Sequence, residues 1–227
     1  MLRASLIVTF IIITFPFAAS AQIIGSVSTV NFGIFTISSW RQSVTASSVF
    51  HIRISKSGQV VIADSVITDT ASCQGFSFPA SQPFKDYYIF SKHQKKEGRT
   101  YILTTTGNFA TIAGGTFWAA PKHKLLFILA EKDYRNLVVF SLQQMKTIFE
   151  KFSCDEFTDW YYRKGNYFGK VEAECGTELK PEKEVSEWMR PVEIEQFNVK
   201  LNTLNEMNIT DEQVERSKPL IKYCACK

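Results

Sequence analysis

The chain lacks the short motifs that would assign a reaction to it. It has three histidines and no HExxH, GxSxG, Walker-type or Cys-x-x-Cys spacing. His51 falls on the polar face of a predicted strand, and His93 and His123 fall among lysines, where we interpret them as solvated loop side chains. The sequence therefore identifies no catalytic residue, no metal site and no cofactor, and an enzyme is the less favoured class.

A strong net charge and long apolar runs are also missing. The formal net charge is +4, and basic and acidic residues are interspersed along the chain. The sequence therefore lacks the basic patch that is typical of nucleic-acid-binding proteins. After Phe17 the longest strongly apolar run is Leu125 to Ala130, far below the ~20 residues of a membrane-spanning helix. We therefore expect no nucleic-acid partner and no membrane span in the mature chain. The hydrophobic content of 45% argues against disorder.

Residues 1–21 have the layout of a secretory signal peptide. Arg3 supplies the positive charge, Leu6 to Phe17 the apolar segment, and Ala19-Ser20-Ala21 the small-residue cleavage site. We expect cleavage before Gln22 and export to the periplasm or the extracellular space.

All cysteines follow that site, so they meet a compartment in which disulfides persist. They are Cys73, Cys154, Cys175, Cys224 and Cys226. Because their number is odd, at least one sulfur has no partner within the chain. Cys154 and Cys175 lie symmetrically about the Lys164-Gly165-Asn166 turn of a predicted hairpin, and either two-residue turn in that segment permits a bridge. We predict this disulfide, which would stabilise the fold by roughly 3 kcal/mol.

Short β-forming runs separated by turn residues extend from about Ile34 to Phe140. Phe50, Ile52 and Ile54 alternate with polar residues, and the turn Lys56 to Gln59 leads into Val60 to Ala63, which indicates a hairpin with one buried face. Further strands are predicted at Tyr87 to Phe90, Thr100 to Thr105, Phe109 to Ile112, Thr116 to Ala119, Leu125 to Ala130 and Leu137 to Phe140. The pattern predicts an antiparallel β-meander, arranged as a sandwich-like or propeller-like sheet.

Several of these segments resemble pieces of the repeat of NHL-type β-propellers. They are Ser57 to Ser65, Gly107 to Gly114, and Leu126 to Ala130 followed by Asn136 to Phe140. Their period is not constant, and a closed propeller of at least ~four blades of ~40 residues would use nearly the whole chain. The resemblance implies antiparallel sheet and does not assign the chain to that family.

The spacing of apolar residues becomes helical after Phe140. Ser141 and Gln144 have the spacing of a capping box, and the apolar residues after them predict an amphipathic helix over residues 142–152. That helix and a hairpin over residues 159–174 complete a predicted β-rich domain over residues 22–178.

Residues 179–227 are predicted to form an α-helical appendage that begins with a charged linker. Helices are expected near Glu182 to Met189, over Val192 to Met207, and after a cap at Thr210. The appendage is expected to dock on the β-rich domain through Ile194, Phe197, Leu201 and Leu204.

The densest candidate binding surface lies on and beside the predicted hairpin. It comprises Asp155, Asp159, Trp160, Tyr161, Tyr162, Tyr167 and Phe168. Aromatic rings beside carboxylates can bind sugars, and two carboxylates about 5 to 10 Å apart can act as glycosidase acid and base. The alternative is a cross-strand aromatic ladder that faces the core on one side. We rank the structural interpretation first, binding second and catalysis third.

Three function classes remain open. The leading hypothesis is an exported, non-enzymatic binding protein for a partner protein, for example a toxin or a component of an envelope complex, because a β-rich scaffold with mixed charge and aromatic loops suits recognition. The second is a secreted glycan-active hydrolase or carbohydrate-binding protein, supported by Asp155 to Tyr162. The third is a thiol redox or metal-handling factor that uses Cys224 and Cys226, although a tether from one of them to Cys73 is the preferred interpretation of that pair.

Overall fold

The computed structural model describes residues 23–44, 47–68, 74–94, 97–131, 135–152, 156–172, 193–207 and 217–223. Most of these residues lie in antiparallel strands, and within these ranges the single helical element is a 3-10 turn, Pro121–His123. None of the helical structure in these ranges is long and apolar enough to cross a membrane. The predicted antiparallel β-structure is confirmed.

Four sheets account for the described strands, each built mainly from strands that follow one another in the chain. Sheet 1 contains β1 (Ile23–Phe32), β2 (Phe35–Val44), β3 (Ser47–Lys56) and β4 (Gln59–Thr68). Sheet 2 contains β5 (Gly75–Ser77), β6 (Tyr87–His93), β7 (Arg99–Thr104) and β8 (Phe109–Ala113). Sheet 3 contains β9 (Thr116–Ala120), β10 (Leu125–Glu131), β11 (Arg135–Ser141) and β12 (Lys146–Phe152). Sheet 4 contains β13 (Glu156–Arg163), β14 (Asn166–Glu172), β15 (Glu193–Asn198) and β16 (Thr203–Met207).

Two of the hairpins have tight turns that their local sequence specifies. The central residues Ser57 and Gly58 of the β3–β4 turn have φ values of 49° and 84°, and Lys164 and Gly165 of the β13–β14 turn have 46° and 92°. Positive φ at both central residues is typical of type I′ turns, whose twist matches that of an antiparallel hairpin. The hairpin predicted from Phe50 to Ala63 is therefore confirmed, with its turn in the expected place.

The sheets stack face to face in chain order, and each interface has its own apolar core. Between sheets 1 and 2 the core contains Phe35, Ile37, Ile52, Ile54, Phe90, Tyr101 and Leu103. Between sheets 2 and 3 it contains Ile89, Ile102, Ile112, Phe117, Leu126, Ile128 and Phe140 among others. Between sheets 3 and 4 it contains Trp118, Phe127, Leu129, Val139, Phe157, Trp160, Tyr167 and Phe197 among others. Sheet 3 has a core on each side, which explains why β10 is a continuous apolar run and not an alternating one.

The helix predicted over residues 142–152 is wrong. Ser141 Oγ accepts a hydrogen bond of 3.2 Å from Gln144 N, as the capping spacing suggested, but Met145 has a φ of 49° and the chain reverses into β12. The apolar residues with helical spacing divide between two cores. Leu142 and Met145 pack between sheets 2 and 3, Ile148 and Phe149 pack between sheets 3 and 4, and Phe152 is exposed.

The helix predicted over Val192 to Met207 is also wrong, because residues 193–207 form the β15–β16 hairpin. Asn198 Oδ1 accepts hydrogen bonds from the backbone N of Lys200 (3.0 Å) and Leu201 (3.2 Å), which turns the chain. Phe197 is fully buried and Leu204 packs beside it, whereas Leu201 is 70% exposed. This segment therefore packs as strands added to sheet 4. The side chain of Ile194 and the predicted helices at residues 182–189 and after Thr210 lie outside the described residues.

Residues 217–223 join sheets 3 and 4. The strand β17 (Lys218–Pro219) pairs with β13, and β18 (Ile221–Tyr223) pairs with β9. Between them, Leu220 N donates a hydrogen bond of 2.8 Å to Trp160 O, and the Leu220 side chain packs against the core of the two sheets. This short segment crosses the interface and holds its two sides together.

Candidate functional site

The predicted binding hairpin is formed by β13 and β14, and its aromatic rings divide between two faces. Trp160 and Tyr167 are fully buried between sheets 3 and 4. Tyr161 and Phe168 lie opposite each other on the other face of sheet 4, where Tyr161 is half-buried and Phe168 is buried. Asp159 is exposed, and Asp155 lies outside the described residues. The structure therefore places Trp160, Tyr162 and Tyr167 in or against the core between sheets 3 and 4, and Tyr161 and Phe168 outside it.

The register of this hairpin bears on the predicted Cys154–Cys175 disulfide. Its turn is the two-residue Lys164-Gly165, as the prediction allows, and Trp160 lies opposite Gly169. A bulge between Phe157 and Asp159 then shifts the pairing by one residue. Because of this shift, residues at equal distances from the turn do not pair beyond the bulge. The disulfide prediction assumes that such residues pair. All five cysteines lie outside the described residues, so the disulfide stays a prediction.

His123 contacts two of the predicted tyrosines, which the interpretation of a solvated loop histidine did not anticipate. Its Nδ1 lies 2.8 Å from the Tyr167 hydroxyl, and its ring lies 6.1 Å from that of Tyr162. The Nζ of Lys122 lies 4.8 Å from the centroid of the Tyr162 ring. Burial lowers the pKa of His123, as does the charge of Lys122, and burial raises the pKa of Tyr167. The contact between the imidazole and the phenol links the Pro121–His123 turn of sheet 3 to β14 of sheet 4.

A second polar cluster lies between sheets 1 and 2, around Asp64 of β4. Its carboxylate accepts hydrogen bonds from Lys92 Nζ at 2.8 Å, from Ser65 N at 2.7 Å and from the Tyr101 hydroxyl. Burial by itself would raise the pKa of Asp64, but the hydrogen bonds from Lys92, Tyr101 and Ser65 outweigh it and lower that pKa. Burial and the neighbouring carboxylate raise the pKa of Tyr101. These contacts join β4 of sheet 1 to β6 and β7 of sheet 2.

His93 ends β6 and is also not the solvated side chain that its loop position suggested. Its Nε2 lies 2.8 Å from Ser91 Oγ, and burial lowers the pKa of His93 to about 4. The side chain is therefore neutral at physiological pH. Over the described part of the chain, no three His, Cys, Asp or Glu side chains are grouped so that they could hold a metal ion.

The outward face of sheet 1, away from sheet 2, carries three planar side chains that we call the sheet 1 stack: Trp40, His51 and Arg53. Trp40 lies opposite His51 in the β2–β3 register, and their rings are 5.2 Å apart with 12° between their planes. The guanidinium carbon of Arg53 lies 5.4 Å from the centroid of the Trp40 ring. Because Ile52 and Ile54 point into the core, the alternation of β3 directs His51 and Arg53 to the other face. Arg53 is exposed, and the two rings are half-buried.

Sheet 1 is also poor in acidic residues. Between Ile23 and Thr68 the sequence contains Arg41, Arg53 and Lys56 but a single carboxylate, Asp64. Since Asp64 is turned inward to Lys92, the described side chains on the outward face include no carboxylate. Arg53 lies opposite Ser38 of β2 and Ala63 of β4, and His51 lies opposite Ser65 of β4. In the sequence, this face is indicated by the polar residues His51, Arg53 and Ser55, which alternate with the apolar residues of β3.

No protein-family model and no curated protein matches this chain. Among solved structures it is similar to the β-propeller domain of the Trilobed protease from Pyrococcus furiosus, which is described as having an open velcro topology. The similarity has a TM-score of 0.40 at 12% identity, and it covers 84% of this chain and 58% of that chain. The chain therefore spans less than two thirds of the length of that solved chain.

Proposed function

We propose that this chain is an exported, non-enzymatic binding protein that recognises an acidic segment of a partner protein through the outward face of sheet 1. The observation that carries the proposal is the sheet 1 stack on a face without described carboxylates. A guanidinium group offers paired donors that match a carboxylate, and a cationic face free of competing acids attracts such a partner.

The stack also supports recognition because it orders the Arg53 side chain before a partner arrives. A guanidinium group beside an indole ring gains cation–π attraction of about 0.5–1 kcal/mol at an exposed site. Holding a long side chain in one conformation reduces the entropy lost on binding. Trp and Arg are also the residue types that most often dominate the energy of protein interfaces.

The non-enzymatic part of the proposal is supported by the state of the described titratable clusters. Asp64 is occupied by Lys92, Tyr101 and Ser65, and His123 Nδ1 is engaged by Tyr167. Neither cluster pairs an available base with a nucleophile. Export is supported by the layout of residues 1–21, and N-terminal sequencing of the secreted protein should begin at Gln22.

The fold proposal that accompanies this function is an open, propeller-like array in which the four sheets are successive blades. It is supported by the face-to-face stacking of meandering sheets in chain order. Sheet 1 would be the terminal blade of such an array, with its outward face available to a partner.

The test uses poly-L-glutamate as an acidic probe and an uncharged cello-oligosaccharide as a second probe, in fluorescence titrations of the full chain. Arg53→Gln and Trp40→Ala should each weaken poly-L-glutamate binding by about tenfold or more. The control is Arg41→Gln, because Arg41 is an exposed arginine of the same sheet that lies over the Phe50 ring on the opposite face. It should change binding less than about twofold.

Equal losses in Arg53→Gln and Arg41→Gln would show nonspecific charge attraction and refute the proposed surface. Failure of the wild type to bind poly-L-glutamate would refute the acidic partner. Binding of the oligosaccharide that depends on Trp40 and is insensitive to Arg53 would favour the carbohydrate-binding alternative instead.

A further inference from the structure

One end of each sheet carries its first and third strand connections, because alternate connections of an antiparallel meander lie at the same end. We call this the turn end, and it comprises residues 33–34, 57–58, 78–86, 105–108, 121–124, 142–145, 164–165 and 199–202. In sheets 1, 2 and 3, a backbone hydrogen bond joins the two connections. The bonds run from Ser57 N to Ile34 O (3.1 Å), from Thr105 N to Asp86 O (3.1 Å) and from Leu142 N to Lys124 O (2.9 Å).

The turn ends of neighbouring sheets also contact one another. Each of the three sheet interfaces has at least one such contact. In chain order, these are the Ile34 side chain packed on Gly107, a 3.1 Å hydrogen bond from the Tyr87 hydroxyl to Leu142 O, and the 2.8 Å contact between His123 Nδ1 and the Tyr167 hydroxyl. The connections of all four sheets therefore lie at one end of the molecule.

The turn end is strongly cationic. In or next to its connections the described residues include nine basic side chains and a single acid, Asp86. The basic residues are Lys56, Lys85, Lys122, Lys124, Lys146, Arg163, Lys164, Lys200 and Lys218, of which all except the half-buried Lys56 are exposed. Lys218 belongs to this set because it lies opposite Tyr162, beside the β13–β14 turn. No connection supplies more than two of these charges, so the sequence contains no basic run and the fold alone collects them.

Exposed apolar side chains accompany the charges of the turn end. Ile34 lies in the β1–β2 turn, Phe109 directly follows the β7–β8 turn, and Leu201 lies in the β15–β16 turn. Their exposed fractions are 44%, 42% and 70%. A soluble polyanion has no apolar region for such side chains. The surface of an anionic bilayer presents phosphate groups above an acyl region, so it matches both the charges and the apolar side chains.

We propose that the turn end is a docking surface for the anionic phospholipids of a membrane surface. The basic side chains contact the phosphate groups, and Leu201 and Ile34 enter the boundary between headgroups and acyl chains. The contact is peripheral and needs no membrane span. The outward face of sheet 1 is a side of that sheet and not its turn end, so docking leaves the sheet 1 stack accessible to a partner protein.

The experiment is co-sedimentation of the full chain with vesicles of phosphatidylcholine, with and without about 30% phosphatidylglycerol. The wild type should bind the anionic vesicles about tenfold or more tightly than the neutral ones, and about 0.5 M salt should weaken that binding. The triple variant Lys85→Gln/Lys146→Gln/Lys200→Gln removes one exposed charge from each of sheets 2, 3 and 4. Each charge near an anionic surface is worth about fivefold in affinity, so the triple variant should bind about 100-fold more weakly.

The matched control is the triple variant Arg41→Gln/Arg99→Gln/Lys222→Gln. It removes the same number of exposed charges from positions away from the turn end, since Arg41 lies near the end of β2, Arg99 begins β7 and Lys222 lies opposite Trp118. It should change the affinity for anionic vesicles less than about threefold. Thermal melting of both triple variants checks that each is folded.

A further variant, Leu201→Ser, separates a membrane from a soluble polyanion. It should weaken binding to anionic vesicles by about fivefold or more and leave binding to heparin unchanged, because only the bilayer buries the leucine side chain. A wild type that does not bind anionic vesicles at low salt would overturn the proposal, as would equal losses in the two triple variants. Heparin binding that depends on the three lysines, without vesicle binding, would assign the turn end to a soluble polyanion instead. None of these variants alters Arg53 or Trp40, so the tests of the two surfaces are separate.

Discussion

Sheets 1 and 4 are the first and last of the four described sheets, and they use their aromatic residues in opposite ways. In sheet 4, Trp160 stacks on Phe127 of sheet 3 at 4.1 Å, and its ring is fully buried. In sheet 1, Trp40 lies on the outward face beside His51 and the exposed Arg53. Charge differs as well, because the strands of sheet 4 carry more acidic than basic residues and those of sheet 1 carry one acid.

This difference teaches that aromatic density alone does not locate a surface. The run from Trp160 to Tyr162 is conspicuous in the sequence, yet Trp160 and Tyr162 pack in or against the core because sheet 3 covers their face. Tyr161 lies on the other face of sheet 4. Trp40 is a single aromatic residue in a polar segment. Its face becomes a candidate binding surface because the β2–β3 register places His51 opposite it.

The largest expected effect is on stability, from truncating the two tryptophans. Trp160→Ala should lower the free energy of unfolding by about 3–5 kcal/mol, because it removes a fully buried ring between two sheets. Trp40→Ala should cost less than about 1 kcal/mol, since its ring packs on an outward face. Urea unfolding of both variants measures the difference. Similar losses in the two variants would break the contrast between the sheets.

A slightly smaller effect is expected where sheet 1 is fixed to sheet 2. Asp64→Asn should cost about 3 kcal/mol at pH 7, because it leaves the buried Lys92 ammonium without its carboxylate. The lowered pKa of Asp64 means that its contribution is present above the unfolded pKa, about 3.9, and is lost as the pH falls through the folded pKa. The gap between variant and wild type should therefore shrink below about pH 4 in unfolding experiments. A gap that is constant from pH 7 to pH 3 would show that Asp64 is not the titrating group.

The third effect concerns His93, which ends β6 in sheet 2. Its pKa of about 4 in the folded chain is below the usual value of about 6.5, so protonation favours the unfolded chain. The stability that this group contributes is present above about pH 6.5 and is lost as the pH falls toward 4, by on the order of 2 kcal/mol. His93→Gln should flatten this part of the pH profile of the melting temperature. An unchanged slope in the variant would contradict the burial of His93.

Sequence patterns predicted the central strands well, for a physical reason. In the β3–β4 hairpin, Ile52 and Ile54 face a core while Arg53 faces outward, so the period of two is visible. The strand β10 is buried on both faces and appears as a short apolar run, which its length still identifies as a strand.

Two helices were predicted wrongly because strands and turns placed apolar residues at the spacing expected of a helix. Leu142 and Ile148 are six residues apart and enter different cores on opposite sides of sheet 3. In the β15–β16 hairpin, Phe197 and Leu204 are brought together across a turn that Asn198 stabilises. A pattern read along one chain cannot separate these arrangements from one helical face.

The sheet 1 stack and the His123–Tyr167 contact could not be predicted, because both depend on pairings between distant residues. Trp40 meets His51 through the β2–β3 register, and His123 meets Tyr167 through the packing of sheet 3 on sheet 4. The alternation of β3 did indicate that His51 and Arg53 share a polar face. It gave no indication of which ring would lie beside them.

Hydroxyl-radical footprinting of the folded chain, read by mass spectrometry at single residues, tests the contrast between sheets 1 and 4 most directly. Trp40 and Tyr161 are half-buried, whereas Trp160 and Tyr167 are fully buried. We predict that Trp40 is oxidised about tenfold or more faster than Trp160, and Tyr161 faster than Tyr167, because radical attack follows solvent access. Oxidation of Trp160 at a rate equal to or above that of Trp40 would contradict the assignment of the sheet 4 hairpin to the core and of the recognition surface to sheet 1.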